Sequence, residues 1–214
     1  MSFSSRQDAG RQLGEDLARR DLGAEVVLGL PRGGVIVAAE VARCLEVPLD
    51  VLVVRKVGHP RFREFAIGAL AEAGVVILDE AVLQRAHVDR EELAEVVSEE
   101  AERLRVYEQK FARPRRPERR DKRVILIDDG LATGSTVEAA VRSARQQEAR
   151  RITVAVPAAS TEGAARIGRV CDEFYALIID PDFQAVGQYY RSFTQTTDEE
   201  VQQALGMLPG EGSP

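Results

Sequence analysis

The chain has 214 residues, 44% hydrophobic and 30% charged, which suits one soluble α/β domain with a substantial core. A formal charge of −6 argues against general affinity for nucleic acid or acidic membranes, and no apolar run approaches the length of a membrane span. Cys44 and Cys171 lack metal spacing and the start MSFSSRQDAG lacks a signal-peptide layout, so a cytoplasmic protein with reduced thiols is expected.

Ser5 with Asp8 three residues later resembles a capping box, and Leu13, Leu17 and Leu22 continue an amphipathic first helix. Residues 25–30 (EVVLGL) form the first strand, followed by Pro31, Arg32, Gly33 and Gly34 and an Ala/Val-rich helix to about Leu45. Paired glycines let a backbone approach an anion and Arg32 supplies charge, so this junction reads as a phosphate site or as an ordinary turn. Residues 50–54 (DVLVV) make the next buried strand. Arg55 and Lys56 follow at its end, where adjacent cations would point into the same crevice as the glycine loop. Only three of the 29 Lys and Arg are lysines, so Lys56 invites a specific reason; the bland alternative is a solubility pair.

From 57 to 64 the chain is polar, basic and proline-broken, and FAIGALAEAGVVIL then reads as two strands joined by a turn at residues 72–74. His59 and His87 are too scattered to suggest a zinc site. A charge-rich helix is expected over 89–111, with an apolar stripe through Leu93, Val97, Ala101, Leu104, Tyr107 and Phe111. The basic, proline-interrupted linker ARPRRPERRDKR follows, either meeting RNA phosphates or neutralised by acidic neighbours such as those of the preceding helix.

Residues 124–136 read VILIDDGLATGST. Val124, Ile125, Leu126 and Ile127 form the continuous apolar run of a parallel strand covered on both faces. Asp128 and Asp129 emerge where it ends, and side-by-side carboxylates repel unless a cation or hydroxyls separate them. Gly130 and Gly134 allow close backbone approach. Thr133, Ser135 and Thr136 add hydroxyls beside the free N–H groups of the next helix, which makes an anion cradle. An acidic pair beside a phosphate cradle suits a phosphorylated sugar, whereas a loop without Lys disfavours a Walker A nucleotidase. Beyond it come a strand over 151–156 closed by Pro157, a short helix over 161–170 and a strand over 173–179. The aromatic-rich tail then carries Phe183, Tyr190 and Phe193, a closing helix over 198–205 and the loose end MLPGEGSP.

VILIDDGLATGST resembles, over its whole length, the phosphoribosyl-pyrophosphate (PRPP) signature of the type I phosphoribosyltransferases. PRGG is similar to that family's pyrophosphate loop and RKVG to the RKxG of its adenine-specific members. PDFQAVG resembles the base-binding hood of the hypoxanthine-guanine members, with the spacing shifted by a residue. The resemblance implies a single domain over 1–214 with a doubly wound, mostly parallel five-stranded α/β sheet and a β-ribbon flexible loop. It also implies a helical insertion and basic linker at about 81–122 and a small hood segment at about 173–205.

The same resemblance implies a pentosyltransferase that moves the 5-phosphoribosyl group of PRPP to a nucleobase, with a purine favoured, releasing pyrophosphate in nucleotide salvage with Mg²⁺. Asp128, Asp129 and Lys56 are then catalytic, and Asp128 and Asp129 also carry the metal. Gly130, Leu131, Ala132, Thr133, Gly134, Ser135 and Thr136 hold the 5′-phosphate. Arg32, Gly33, Gly34, Arg55 and Lys56 hold the pyrophosphate, while Phe183 and Val186 meet the base. Glu72 lies one residue out of register with a glutamate of adenine-specific members and reads equally as an exposed turn carboxylate. Family members commonly pair, so a homodimer is expected, with no membrane or nucleic-acid partner. The alternative is a PRPP-sensing regulator of the same fold that binds RNA or DNA, favoured by the basic linker and opposed by the acidic charge and by the lack of an added helix-turn-helix.

Overall fold

Described over residues 2–63, 65–86, 88–112 and 116–206, the computed structural model is built on two sheets. Along the chain the strands are β1 (Val26–Gly29), β2 (Leu49–Val51), β3 (Val54–Gly58), β4 (Ala66–Ala71), β5 (Val75–Leu78), β6 (Arg123–Ile127), β7 (Arg151–Ser160) and β8 (Glu173–Asp180). The helices are α1 (Arg6–Ala18), α2 (Gly33–Leu45), α3 (Glu80–Ala86), α4 (Arg90–Lys110), α5 (Ser135–Gln146), α6 (Thr161–Ile167) and α7 (Asp198–Ala204). The main sheet is parallel throughout, in the order β2-β1-β6-β7-β8.

Strand alternation divides the core between the two faces of this sheet. Val26 and Leu28 of β1, with Val124 and Leu126 of β6, pack against α5. Val27, Ile125 and Ile127 face the other way, under α1 and α2. Residues 124–127 read as an unbroken apolar run because both faces are covered, and each buried side chain contributes about 1.5–3 kcal/mol. Helix α1 lies close on α2 because Gly10 has no side chain; a Cβ there would stand 2.6 Å from the Val37 carbonyl oxygen. α1 stops at Ala18, so Leu22 is not part of it.

The apolar stretch at 50–54 does not form one strand. β2 ends at Val51 on the edge of the sheet, and β3 starts at Val54 in a second, antiparallel sheet of order β3-β4-β5. Arg55 and Lys56 therefore lie in a three-stranded ribbon, not at the end of a central strand. The ribbon, α4 and α7 share a core of Val57, Ile67, Leu70, Leu93, Leu104, Phe111 and Val201. The helical insertion thus packs on the domain through the expected stripe. Pro157 costs the ladder one donor, yet β7 runs on past it to Ser160 in register with β8. No described helix is long and apolar enough to cross a membrane. Glu64, His87, residues 113–115 of the basic linker and the end at 207–214 lie outside the described residues.

Candidate active site

β6 delivers Asp128 and Asp129 at its carboxyl end, between β1 and β7. The Asp129 amide donates to Asp128 Oδ1 at 2.9 Å, and Arg6 Nε donates to Asp129 Oδ2 at 2.8 Å. The Tyr190 hydroxyl donates to the Asp129 carbonyl oxygen at 2.5 Å. Burial, and after it the Asp129 charge, pushes the Asp128 carboxyl well above the usual carboxylate range, outweighing the Asp129 amide, Lys56 and Arg6. The acidic edge is therefore short of positive charge. Its paired oxygens suit a hard divalent cation. No group of three or more His, Cys, Asp or Glu gathers among the described residues, so a cation here would take most of its ligands from substrate and water.

The cradle loop follows directly. Gly130 admits Val186, since a Cβ on it would stand 2.5 Å from that side chain. Leu131 donates its amide to the Ala158 carbonyl at 2.9 Å and accepts from the Ser160 amide at 2.8 Å. That corrects its expected role: its N–H is committed to β7, and Leu131 anchors the loop instead of offering a donor to phosphate. Gly134, at φ 81°, turns the chain into α5, whose start has no side-chain cap. The leading amides of α5 and the Thr133 and Ser135 hydroxyls, 3.4 Å apart, make the concentration of donors that an anion requires. Arg166, which sequence reasoning missed, comes to 3.5 Å from the Thr133 carbonyl and is held by Glu138 at 2.7 Å.

The PRGG loop lies hard against the acids. A Cβ at Gly33 would stand 2.0 Å from Asp129 Oδ2, and one at Gly34 would stand 2.8 Å from the Ile127 carbonyl, so only glycine fits there. Arg32 turns toward α7, its guanidinium 3.9 Å from Asp198. Lys56 is exposed and, among the described residues, has no hydrogen-bond or ion-pair partner, yet its charge is felt at Asp128. Arg55 lines a cleft with Lys56 but turns its guanidinium to α4. Its Nε donates to Glu100 of α4 at 2.6 Å, because successive side chains of β3 point to opposite faces.

Residues 180–194 lie within the segment where the hood is expected and pack on one another. Phe183 stacks on Tyr189, ring centroids 5.2 Å apart, and Tyr189 donates to Asp180 at 2.7 Å. Phe183 is thereby packed against Tyr189 and its neighbours, while Val186 reaches the Gly130 loop. Arg6, missed from the sequence, and Tyr190, read there only as one of the tail aromatics, both bond to Asp129.

Glu72 is neither exposed nor beside the acidic edge's donors. It is buried, accepts from the Val53 amide at 2.8 Å and pairs with Arg119 at 2.8 Å. Arg116 and Arg119 also donate to the buried Asp50, at 2.9 and 3.1 Å. Arg120 pairs with Glu148 and Lys122 with Glu25. The described part of the basic linker is thus neutralised within the protein, by acids of β2, the ribbon turn and neighbouring loops, with Glu108 of α4 also within electrostatic reach of Arg116 and Arg119.

A family model described as the phosphoribosyl transferase domain matches residues 9–191. Rv0571c of Mycobacterium tuberculosis strain H37Rv, whose name carries a provisional phosphoribosyl transferase assignment, is 44% identical over 200 residues, 93% of this chain and 45% of that protein. Its counterpart MT0597 in strain CDC 1551 matches equally, and the chain spans about half the length of these relatives. The crystal structure of TT1426 from Thermus thermophilus is 44% identical and superposes with a TM-score of 0.79, covering 96% of this chain and 98% of that one. A Neisseria gonorrhoeae protein solved with bound ppGpp shares the fold at a TM-score of 0.52 and 13% identity, over 96% of this chain and 97% of that one. Since the matched span takes in the PRGG loop, the acidic edge and the cradle, the chain belongs to the phosphoribosyl transferase domain family.

Proposed function

We propose that the protein transfers the 5-phosphoribosyl group of PRPP to a ring nitrogen of a nucleobase and releases pyrophosphate, serving nucleotide salvage. The observation that carries this reading is the convergence of an acidic pair, an uncapped helix start and a side-chain-free loop, with Gly33 packed on Asp129. The RKVG and PDFQAVG resemblances favour a purine as acceptor.

In this reading the amides and hydroxyls of residues 132–136 hold the 5′-phosphate. Asp128 and Asp129 accept from the ribose hydroxyls and face the positive charge that develops on the sugar as the bond at C1 breaks. An oxocarbenium-like transition state needs no protein nucleophile, so positioning and preorganised charge carry the rate. Lys56, unpaired among the described residues, and the backbone of Gly33 and Gly34 receive the leaving diphosphate. Asp128 and Asp129 would hold Mg²⁺, which supplies charge neutralisation of the diphosphate.

The test is pyrophosphate release from PRPP and Mg²⁺ with and without a panel of purines and pyrimidines. Release that depends on one base, with the matching nucleotide formed, supports the transferase. PRPP binding with no base consumed across the panel contradicts it and favours a sensor of PRPP.

A further inference from the structure

Residues 3–6 run alongside the chain's own tail. Phe3 donates its amide to the Tyr189 carbonyl at 2.7 Å, its carbonyl accepts from the Arg191 amide at 2.8 Å, and the Ser192 amide reaches the Ser4 carbonyl at 3.2 Å. Arg6, the first residue of α1, stands where this strand-like pairing meets the acidic edge. Its Nε is spent on Asp129 Oδ2 and its Nη1 donates to the Thr194 carbonyl at 2.7 Å. The guanidinium lies 4.0 Å over the Phe193 ring. Only 11% of its side chain is exposed, and the bond it makes is the one against which Gly33 packs.

We infer that Arg6 is a positioning residue for Asp129, fixing the acid against the PRGG loop and drawing the tail at 191–194 over the acidic edge in the same set of contacts. One planar fork spans two partners in different directions, which a lysine ammonium matches only in part. With Oδ2 committed to Arg6, Asp129 keeps Oδ1 for a ligand hydroxyl, and one of the two adjacent charges is balanced before an anionic sugar phosphate arrives. The ligand side of this role rests on the function proposed above; the tail side rests on the contacts alone.

The experiment uses the full chain with Arg6→Ala, Arg6→Lys, Asp129→Asn and the Arg6→Ala/Asp129→Asn pair, measuring Mg–PRPP affinity by calorimetry and amide hydrogen exchange at Arg191 and Ser192. Arg6→Ala is expected to weaken PRPP about 10–100-fold and Arg6→Lys to recover part of that loss. In the Asp129→Asn background the same change costs less than about threefold, because residues acting through one contact are not additive. Exchange at Arg191 and Ser192 rises about tenfold or more in Arg6→Ala, the tail having lost its tether. Fully additive losses, or wild-type exchange at both amides in Arg6→Ala, overturn the inference. If the wild-type protein fails to bind PRPP, the proposed function falls while the exchange arm still decides the role of Arg6.

Discussion

Arg119 Nη1 donates to the Glu72 carboxylate at 2.8 Å within the protein, neither side chain showing more than 7% of its surface. The same guanidinium holds the fully buried Asp50 and the Val51 carbonyl, so the basic linker is stitched into the junction between β2 and the ribbon. Removing one partner leaves a buried charge uncompensated, and Arg119→Ala should cost about 3–5 kcal/mol in urea unfolding. Glu72→Gln should lose stability while a folded sample keeps its turnover. A folded but inactive Glu72→Gln protein would return this residue to the chemistry.

The same network sets the acid limit. Burial alone would raise the Asp50 carboxyl, but Arg116 and Arg119 outweigh it and hold the group below its ordinary 3.8. Asp8, bonded chiefly by the Ser4 amide, sits at about 2. Both groups have a lower pKa folded than unfolded, so their stabilisation is present above about pH 4 and is lost as pH falls through the folded values. Melting temperatures should fall steeply between about pH 4 and pH 2, and Arg119→Ala should remove part of that dependence.

Asp128 has the opposite sign. Its raised carboxyl retains in the folded protein a proton that the unfolded chain releases above 3.8, so stability declines as pH rises from there through the folded value. Asp128→Asn should therefore raise the melting temperature at neutral pH while lowering turnover by orders of magnitude. Each kcal/mol relieved is worth about 2–4 °C in a chain of this size. A less stable Asp128→Asn protein would mean that its carboxylate serves the fold.

Arg55 and Lys56 should separate cleanly. Lys56→Ala is expected to weaken pyrophosphate binding about tenfold or more, removing a cation that has no partner among the described residues. Arg55→Ala should leave that affinity within about twofold and act on the packing of α4 instead. Isothermal titration of pyrophosphate into the two variants checks both.

Much of this arrangement was legible from local signals. Val124 to Ile127 announced a doubly covered strand, and the glycine, threonine and serine positions after Asp128 and Asp129 announced a loop that turns into a helix. The PRGG loop was legible because glycine is the residue a close approach demands, and the contact of Gly33 with Asp129 is of that kind. What failed was what depends on distant partners. Arg6 meets Asp129 across 123 positions, and Arg119 meets Glu72 across 47, with no periodic signal linking either pair. The apolar run at 50–54 hid a change of sheet, since no Gly or Pro punctuates it, and that boundary decided where Arg55 points. Its place in a motif puts Leu131 at the phosphate, whereas its amide bonds the Ala158 carbonyl of β7.

The most direct measurement is a calorimetric titration of PRPP with Mg²⁺ into the wild-type protein and into Asp128→Asn/Asp129→Asn. The acidic edge is predicted to bind PRPP with a Kd between about 1 μM and 1 mM, the usual span for enzyme substrates. The double variant should bind about 100-fold more weakly with an unchanged circular dichroism spectrum, a loss of roughly 2.8 kcal/mol. Equal affinity in the two proteins, or no binding by the wild type, would contradict a PRPP site built on Asp128 and Asp129.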